Sequence, residues 1–211
     1  RTDGLLQIKI IENRTGNSHY LEFSDPTYTA YIGLNLEFDT TKLRFGYTSL
    51  TKPNSTIEYD MKEKTSRVLK QHEVLGGKFF AENYISERVS APSRDGKNSI
   101  PISLVYHKDT VKSAETPLLL YGYGSYGHTV DASFSNVRLS ILDRGFIYAI
   151  AHIRGGEYLG REWYENGKML QKKNTFFDFI DAAKFLISEN YTSQKHLYAM
   201  GGSAGGLLMG A

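Results

Sequence analysis

The chain of 211 residues has no cysteine. That removes disulfides, thiolate nucleophiles and cysteine-bound metals together, and it is the usage expected of a cytoplasmic protein. Neither sign of charge is in excess: 25 basic residues stand against 23 acidic ones, a formal net charge of +2. No broad field therefore points to nucleic acid or to an anionic membrane as a partner. No apolar run approaches the roughly 20 residues that span a bilayer. The sequence opens on Arg1, with neither an initiator methionine nor a charged-then-apolar leader, so its N-terminus is expected to be an internal point of a longer chain. Histidines at metal-ligand spacing are missing as well, and no metal or cofactor is expected. What remains is 40% hydrophobic, ample material for a folded core.

The apolar residues are arranged with two different periods. Up to about Leu69 they alternate: Leu6, Ile8 and Ile10, then Leu34, Leu36 and Phe38, then Leu43, Phe45 and Tyr47, then Ile57, Tyr59 and Met61. Period two predicts antiparallel strands with one buried face, joined by the polar clusters at 13–18, 51–55 and 62–66. Past Gly76 and Gly77 a strand pair around 84–89 and 100–106 is followed by the short apolar runs 118–121, 146–151 and 197–200. Runs of that kind are expected of strands buried on both faces. Phe176, Ile180, Ala183 and Ile187 recur at helical spacing, which predicts a helix over 176–189 with Thr175 and Asp178 as a capping box. The expected class is α/β: an antiparallel region at 1–75, then a βαβ region with a parallel sheet at 76–211.

Gly201-Gly202-Ser203-Ala204-Gly205 has the form Gly-x-Ser-x-Gly, between the strand at 197–200 and a short apolar stretch at 207–209. A strand that turns at once into a helix strains the residue at the bend and leaves no room for side chains two positions to either side. Glycine at 201 and 205 fits that requirement. Ser203 is the candidate nucleophile, with the Ala204 N–H facing the same space as half of an oxyanion hole.

Gly122, Gly124 and Gly127 follow the strand at 118–121 and fit Gly-x-Gly-x-x-Gly, which opens the alternative of a dinucleotide-binding module at Gly122–Gly127. Such a site needs a helix to start immediately and an acidic residue at the end of the next strand, and that strand is followed by His152. A tyrosine in the same loop could instead donate its hydroxyl to an oxyanion, and Tyr123 is the candidate. All six histidines precede the serine, an order foreign to βαβ hydrolases. They read as surface or hydrogen-bonded loop positions. Arg154 and Glu157 are expected to pair and brace the loop after the strand at 146–151, and Lys168, Lys172 and Lys173 to form a solvated surface.

With these pieces in place the chain resembles the prolyl oligopeptidase family of serine peptidases, and within it the oligopeptidase B branch. The carriers run through most of its length: Leu43-Arg44-Phe45-Gly46-Tyr47, Glu73-Val74-Leu75-Gly76-Gly77, Pro101 to Tyr106, Tyr121 to Gly127, Asp143-Arg144-Gly145, Ala151 to Gly156 and Gly201 to Ala211. Ala204 after the serine and His152 before Ile153-Arg154 favour that branch over the proline-specific one, which is the alternative. The resemblance implies that residues 1–75 are the last strands of a β-propeller and 76–211 the N-terminal part of an α/β-hydrolase domain. It implies Ser203 as nucleophile, Tyr123 and Ala204 as oxyanion donors, and oligopeptide substrates cut after Arg or Lys. It also implies that the catalytic Asp and His, and the acidic residues that read a basic side chain, follow Ala211. Residues 1–211 alone are accordingly expected to be inactive and poorly folded.

Overall fold

The computed structural model describes all 211 residues. Two short strands, β1 (Lys9–Ile11) and β2 (Ser18–Tyr20), form an antiparallel pair. They are followed by an antiparallel meander of β3 (Tyr28–Ile32), β4 (Lys42–Ser49), β5 (Ser55–Asp60) and β6 (Thr65–Gln71), adjacent in that order. One face of the meander buries Tyr28, Ala30, Phe45, Tyr47 and Tyr59 with Ile8 and Leu21. Alternation along β4 and β5 thus does what period two requires.

The alternation at Leu34, Leu36 and Phe38 does not form the expected strand: these residues lie in irregular chain and are 75%, 84% and 100% exposed. The cause is local. The side-chain amide of Asn35 donates to Arg44 O at 2.9 Å and accepts from Arg44 N at 2.7 Å, taking the ladder bonds that the backbone of 34–38 would have used.

The second sheet has five strands in the order β11-β9-β10-β8-β7. Its members are β7 (Tyr84–Pro92), β8 (Ser99–His107), β9 (Leu118–Tyr121), β10 (Ile147–Ala151) and β11 (Leu197–Met200). β7 and β8 are antiparallel, β8 and β10 likewise, and β9, β10 and β11 run parallel. The helices are α1 (Asn136–Leu142), α2 (Arg161–Glu165), α3 (Lys173–Ser188) and α4 (Ala204–Gly210).

β10 is buried on both faces. Ile147, Ala149 and Ala151 join the cluster that takes in Phe179, Ala182 and Leu186 of α3, while Tyr148 and Ile150 join the one containing Leu142 of α1. Helices on opposite faces of a parallel sheet make the three-layer α/β arrangement. β11 differs from its expected burial: Tyr198 and Met200 are 49% and 44% exposed, because β11 is the edge strand, bonded only to β9.

α3 begins at Lys173 rather than 176, and no side chain caps it. Thr175 and Asp178 lie inside the helix, with their polar atoms turned to the loop after β10 instead of to the helix end. The two sheets touch through several contacts. Leu50, just after β4, is packed with Val105, Ala132 and Ile150, and Thr27 Oγ1 lies 2.7 Å from Ser103 Oγ on β8.

Candidate active site

β9 and β11 are parallel neighbours, so the loops that follow them leave the same rim of the sheet, and Gly122 N donates to Met200 O at 3.1 Å. Leu142 of α1, the helix between β9 and β10, packs on one face of the sheet, and Leu208 of α4 packs on the other. Neighbouring strands whose chains depart to opposite faces leave a crevice at their carboxyl ends, which is where α/β sheets place ligands.

Ser203 sits at the turn between β11 and α4 with φ 53° and ψ −117°, an unfavourable backbone for a residue carrying a β-carbon. It is exposed. The space on either side explains the glycines. A β-carbon on Gly205 would lie 2.7 Å from Gly122 O, and one on Gly201 would lie 2.9 Å from Gly122 O and run into the Gly205 carbonyl. Three backbone segments therefore meet with nothing between them. The Ala204 N–H has no acceptor within the chain, whereas Gly205 N and Gly206 N bond to Gly202 O and Ser203 O, each at 2.8 Å.

Tyr123 follows Gly122 on the neighbouring strand end, and its Cα and ring lie 3.4 and 3.6 Å from where a Gly205 β-carbon would be. The ring is half-buried and packs edge-on against His128, with centroids 5.2 Å apart. All three expected site residues are thus brought to one rim. The loop 122–127 opens no helix: the next one, α1, starts at Asn136, and a β-carbon on Gly122 would meet the Phe179 ring at 2.7 Å. The features of a dinucleotide site are absent from it.

No hydrogen bond joins Ser203 to any of the six histidines. His152 is not a surface residue but 4% exposed, bonded at 2.7 Å to Ser103 Oγ and stacked on Tyr158 with centroids 3.7 Å apart. Burial, with Arg88 and Arg1 nearby, lowers its pKa to about 3. Such an imidazole stays neutral.

Arg154 does not pair with Glu157. Its guanidinium binds Asp178 of α3 at 2.8 Å (Nε) and 2.6 Å (Nη2), and Asp95 at 2.8 Å (Nη1). A buried guanidinium takes the partner that satisfies most of its fork, and Asp178 offers both oxygens within the interior while Glu157 faces outward near Arg161.

Lys172 is not a solvated residue either. Its Nζ donates to Gly124 O at 2.6 Å and Ser125 Oγ at 2.7 Å. Thr175 Oγ1 lies 2.8 Å from Arg154 O and 3.0 Å from Gly167 O, which share its one hydroxyl proton. These contacts tie α3 to both loops of the rim. No local pattern announces them, since, Gly167 apart, the partners are 21 to 48 residues away in the chain.

A sheet of this topology with a strained serine between strand and helix defines the α/β-hydrolase class. Residues 1–72 match the domain described as "Prolyl oligopeptidase, N-terminal beta-propeller domain", and residues 132–211 match "Prolyl oligopeptidase family". The chain belongs to the prolyl oligopeptidase family. Over its whole length it is 46% identical to dipeptidyl aminopeptidase BI of Pseudoxanthomonas mexicana and 38% identical to protease 2 of Moraxella lacunata, covering 29% and 30% of those proteins. Among solved structures it is similar to "Oligopeptidase B from Trypanosoma brucei with covalently bound antipain - closed form". The TM-score is 0.90 and the identity 40%, over 100% of this chain and 31% of that one. The chain thus spans about 30% of the length of the proteins it matches.

Proposed function

We propose that the full-length protein is a serine peptidase that cuts short peptides on the carboxyl side of Arg or Lys in the cytoplasm. The observation that carries this reading is Ser203, held at φ 53° between β11 and α4 with Tyr123 beside it on the next strand end. The Ser203 Oγ attacks the scissile carbonyl carbon, and the carbonyl π pair moves onto oxygen. The Ala204 N–H and the Tyr123 hydroxyl donate to that oxyanion. Collapse expels the protonated amine and leaves an acyl-serine, which water hydrolyses. The histidine that takes the serine proton and the acid that orients it are supplied by sequence following residue 211, in the order usual for this fold.

The basic preference is favoured by the similarity to oligopeptidase B. A second reading, release of dipeptides from free N-termini, is favoured by the name of the relative at 46% identity. In the full-length protein, Ser203→Ala should abolish both turnover and labelling by an organophosphonate, and Tyr123→Phe should lower kcat by roughly 10²-fold. Retained labelling in Ser203→Ala would remove the nucleophile. Blocked arginyl and lysyl amides, a prolyl amide and an unblocked dipeptidyl amide, compared by kcat/KM, decide the specificity.

A further inference from the structure

We propose that Lys172 is a positioning residue for the loop that carries Tyr123: its ammonium clamps Gly124 and Ser125 and so fixes the direction of the tyrosine. The proposal rests on the reading of Tyr123 as an oxyanion donor.

The loop 122–127 is held on three sides. Toward the nucleophile, Gly122 and Tyr123 abut the backbone of Gly201 and Gly205. Beneath, Gly127 N donates to Gly155 O at 3.0 Å, and Gly155 has no room for a β-carbon against Gly124 O. On the third side the only tether from a charged group is Lys172, 2.6 Å from Gly124 O and 2.7 Å from Ser125 Oγ. The point of attachment matters. Gly124, the residue next to Tyr123, has φ +66°, a backbone open mainly to glycine, and a fixed Gly124 carbonyl restricts the freedom of the segment that carries the tyrosine.

Lys172 has no carboxylate partner, and burial lowers its pKa. An ammonium half-buried against neutral oxygens is a poor device for stability, because its desolvation is not offset by an opposite charge. Lys173 beside it is exposed and free of contacts of this kind, so the chain had a solvated alternative one residue away. The ammonium supplies two short, directional, charge-assisted bonds at the base of the tyrosine.

The test is a double-mutant cycle in the full-length protein with an arginyl amide as substrate. Lys172→Met should lower kcat about tenfold with KM within about twofold, and Lys172→Arg should recover most of the loss. In a Tyr123→Phe background, Lys172→Met should cost less than about twofold, because the hydroxyl it places is already gone. Ser125→Ala removes one of the two acceptors and should move kcat in the same direction by a smaller factor, with the same coupling to Tyr123. It carries the cycle should Lys172→Met not fold. Equal losses in both backgrounds, or an unchanged kcat in both the Lys172 and Ser125 variants, would overturn the clamp while leaving Tyr123 as a donor. A full kcat in Tyr123→Phe alone would overturn the donor, and the clamp with it.

Discussion

Arg154 and Asp178 face each other across the gap between the loop after β10 and helix α3, joined by two parallel hydrogen bonds of 2.8 and 2.6 Å. Both are buried, at 4% and 0% exposure, and Arg154 N adds a third bond to the same carboxylate at 3.0 Å. Removing Asp178 leaves the buried guanidinium with Asp95 as its one remaining carboxylate and its Nε and Nη2 bonds unmade. Asp178→Ala is therefore expected to destabilise the protein by about 3 kcal/mol or more, and Arg154→Met combined with Asp178→Leu to recover part of that. Chemical unfolding of the three proteins checks it. A double variant no more stable than Asp178→Ala would mean that the pair contributes beyond its own neutralisation.

Two glycines of the elbow should respond differently. Gly205→Ala places a methyl 2.7 Å from Gly122 O and must push the two loops apart, whereas a methyl on Gly202 meets nothing within 4 Å. Gly205→Ala is expected to cost about 1–3 kcal/mol and to slow organophosphonate labelling of Ser203 strongly. Gly202→Ala should stay within about 0.5 kcal/mol of the parent. Thermal unfolding and labelling rates measure both, and equal tolerance at 202 and 205 would contradict the packing described.

His152 sets a stability term that depends on pH. Its folded pKa is lowered to about 3, first by burial, against an unfolded value of about 6.5. Between those values the unfolded chain binds a proton that the folded chain does not, so stability falls as pH drops from about 6.5, by up to about 1.4 kcal/mol per unit for this one proton. Above that range the group contributes no pH dependence. Denaturant unfolding at pH 7, 6 and 5 should show a shallower fall in His152→Asn than in the parent. Parallel curves would show that His152 is protonated in the folded state. Trp163, the only tryptophan of the 211 residues, donates its indole N–H to His152 O at 2.9 Å and reports on the same neighbourhood.

The strands and the helix around the site are legible in the sequence because their signals are local. The runs 118–121 and 197–200 become β9 and β11 without a shift, and the serine motif lies at the turn its glycines require. Signals that depend on a distant partner were not legible. Leu34, Leu36 and Phe38 alternate like a strand, but one amide of Asn35 diverts their ladder bonds to Arg44. Thr175 and Asp178 have capping-box spacing, yet both serve Arg154. Lys172 sits in a run of lysines that reads as a wet surface, and only the fold brings Gly124 and Ser125 over it. Spacing along one chain reports what immediate neighbours can do together, and it is silent on what arrives from elsewhere, whether nine residues away, as for Asn35 and Arg44, or 48, as for Lys172 and Gly124.

Leu50 belongs by sequence to the antiparallel meander and by packing to the α/β core, where it is 2% exposed among Val105, Ala132, Leu142, Tyr148 and Ile150. The meander and the α/β region are therefore not interchangeable modules. A chimera that joins this α/β region to the corresponding strands of a distant homologue inherits a hole or a clash at this one position, unless the donor carries a side chain of leucine's volume there.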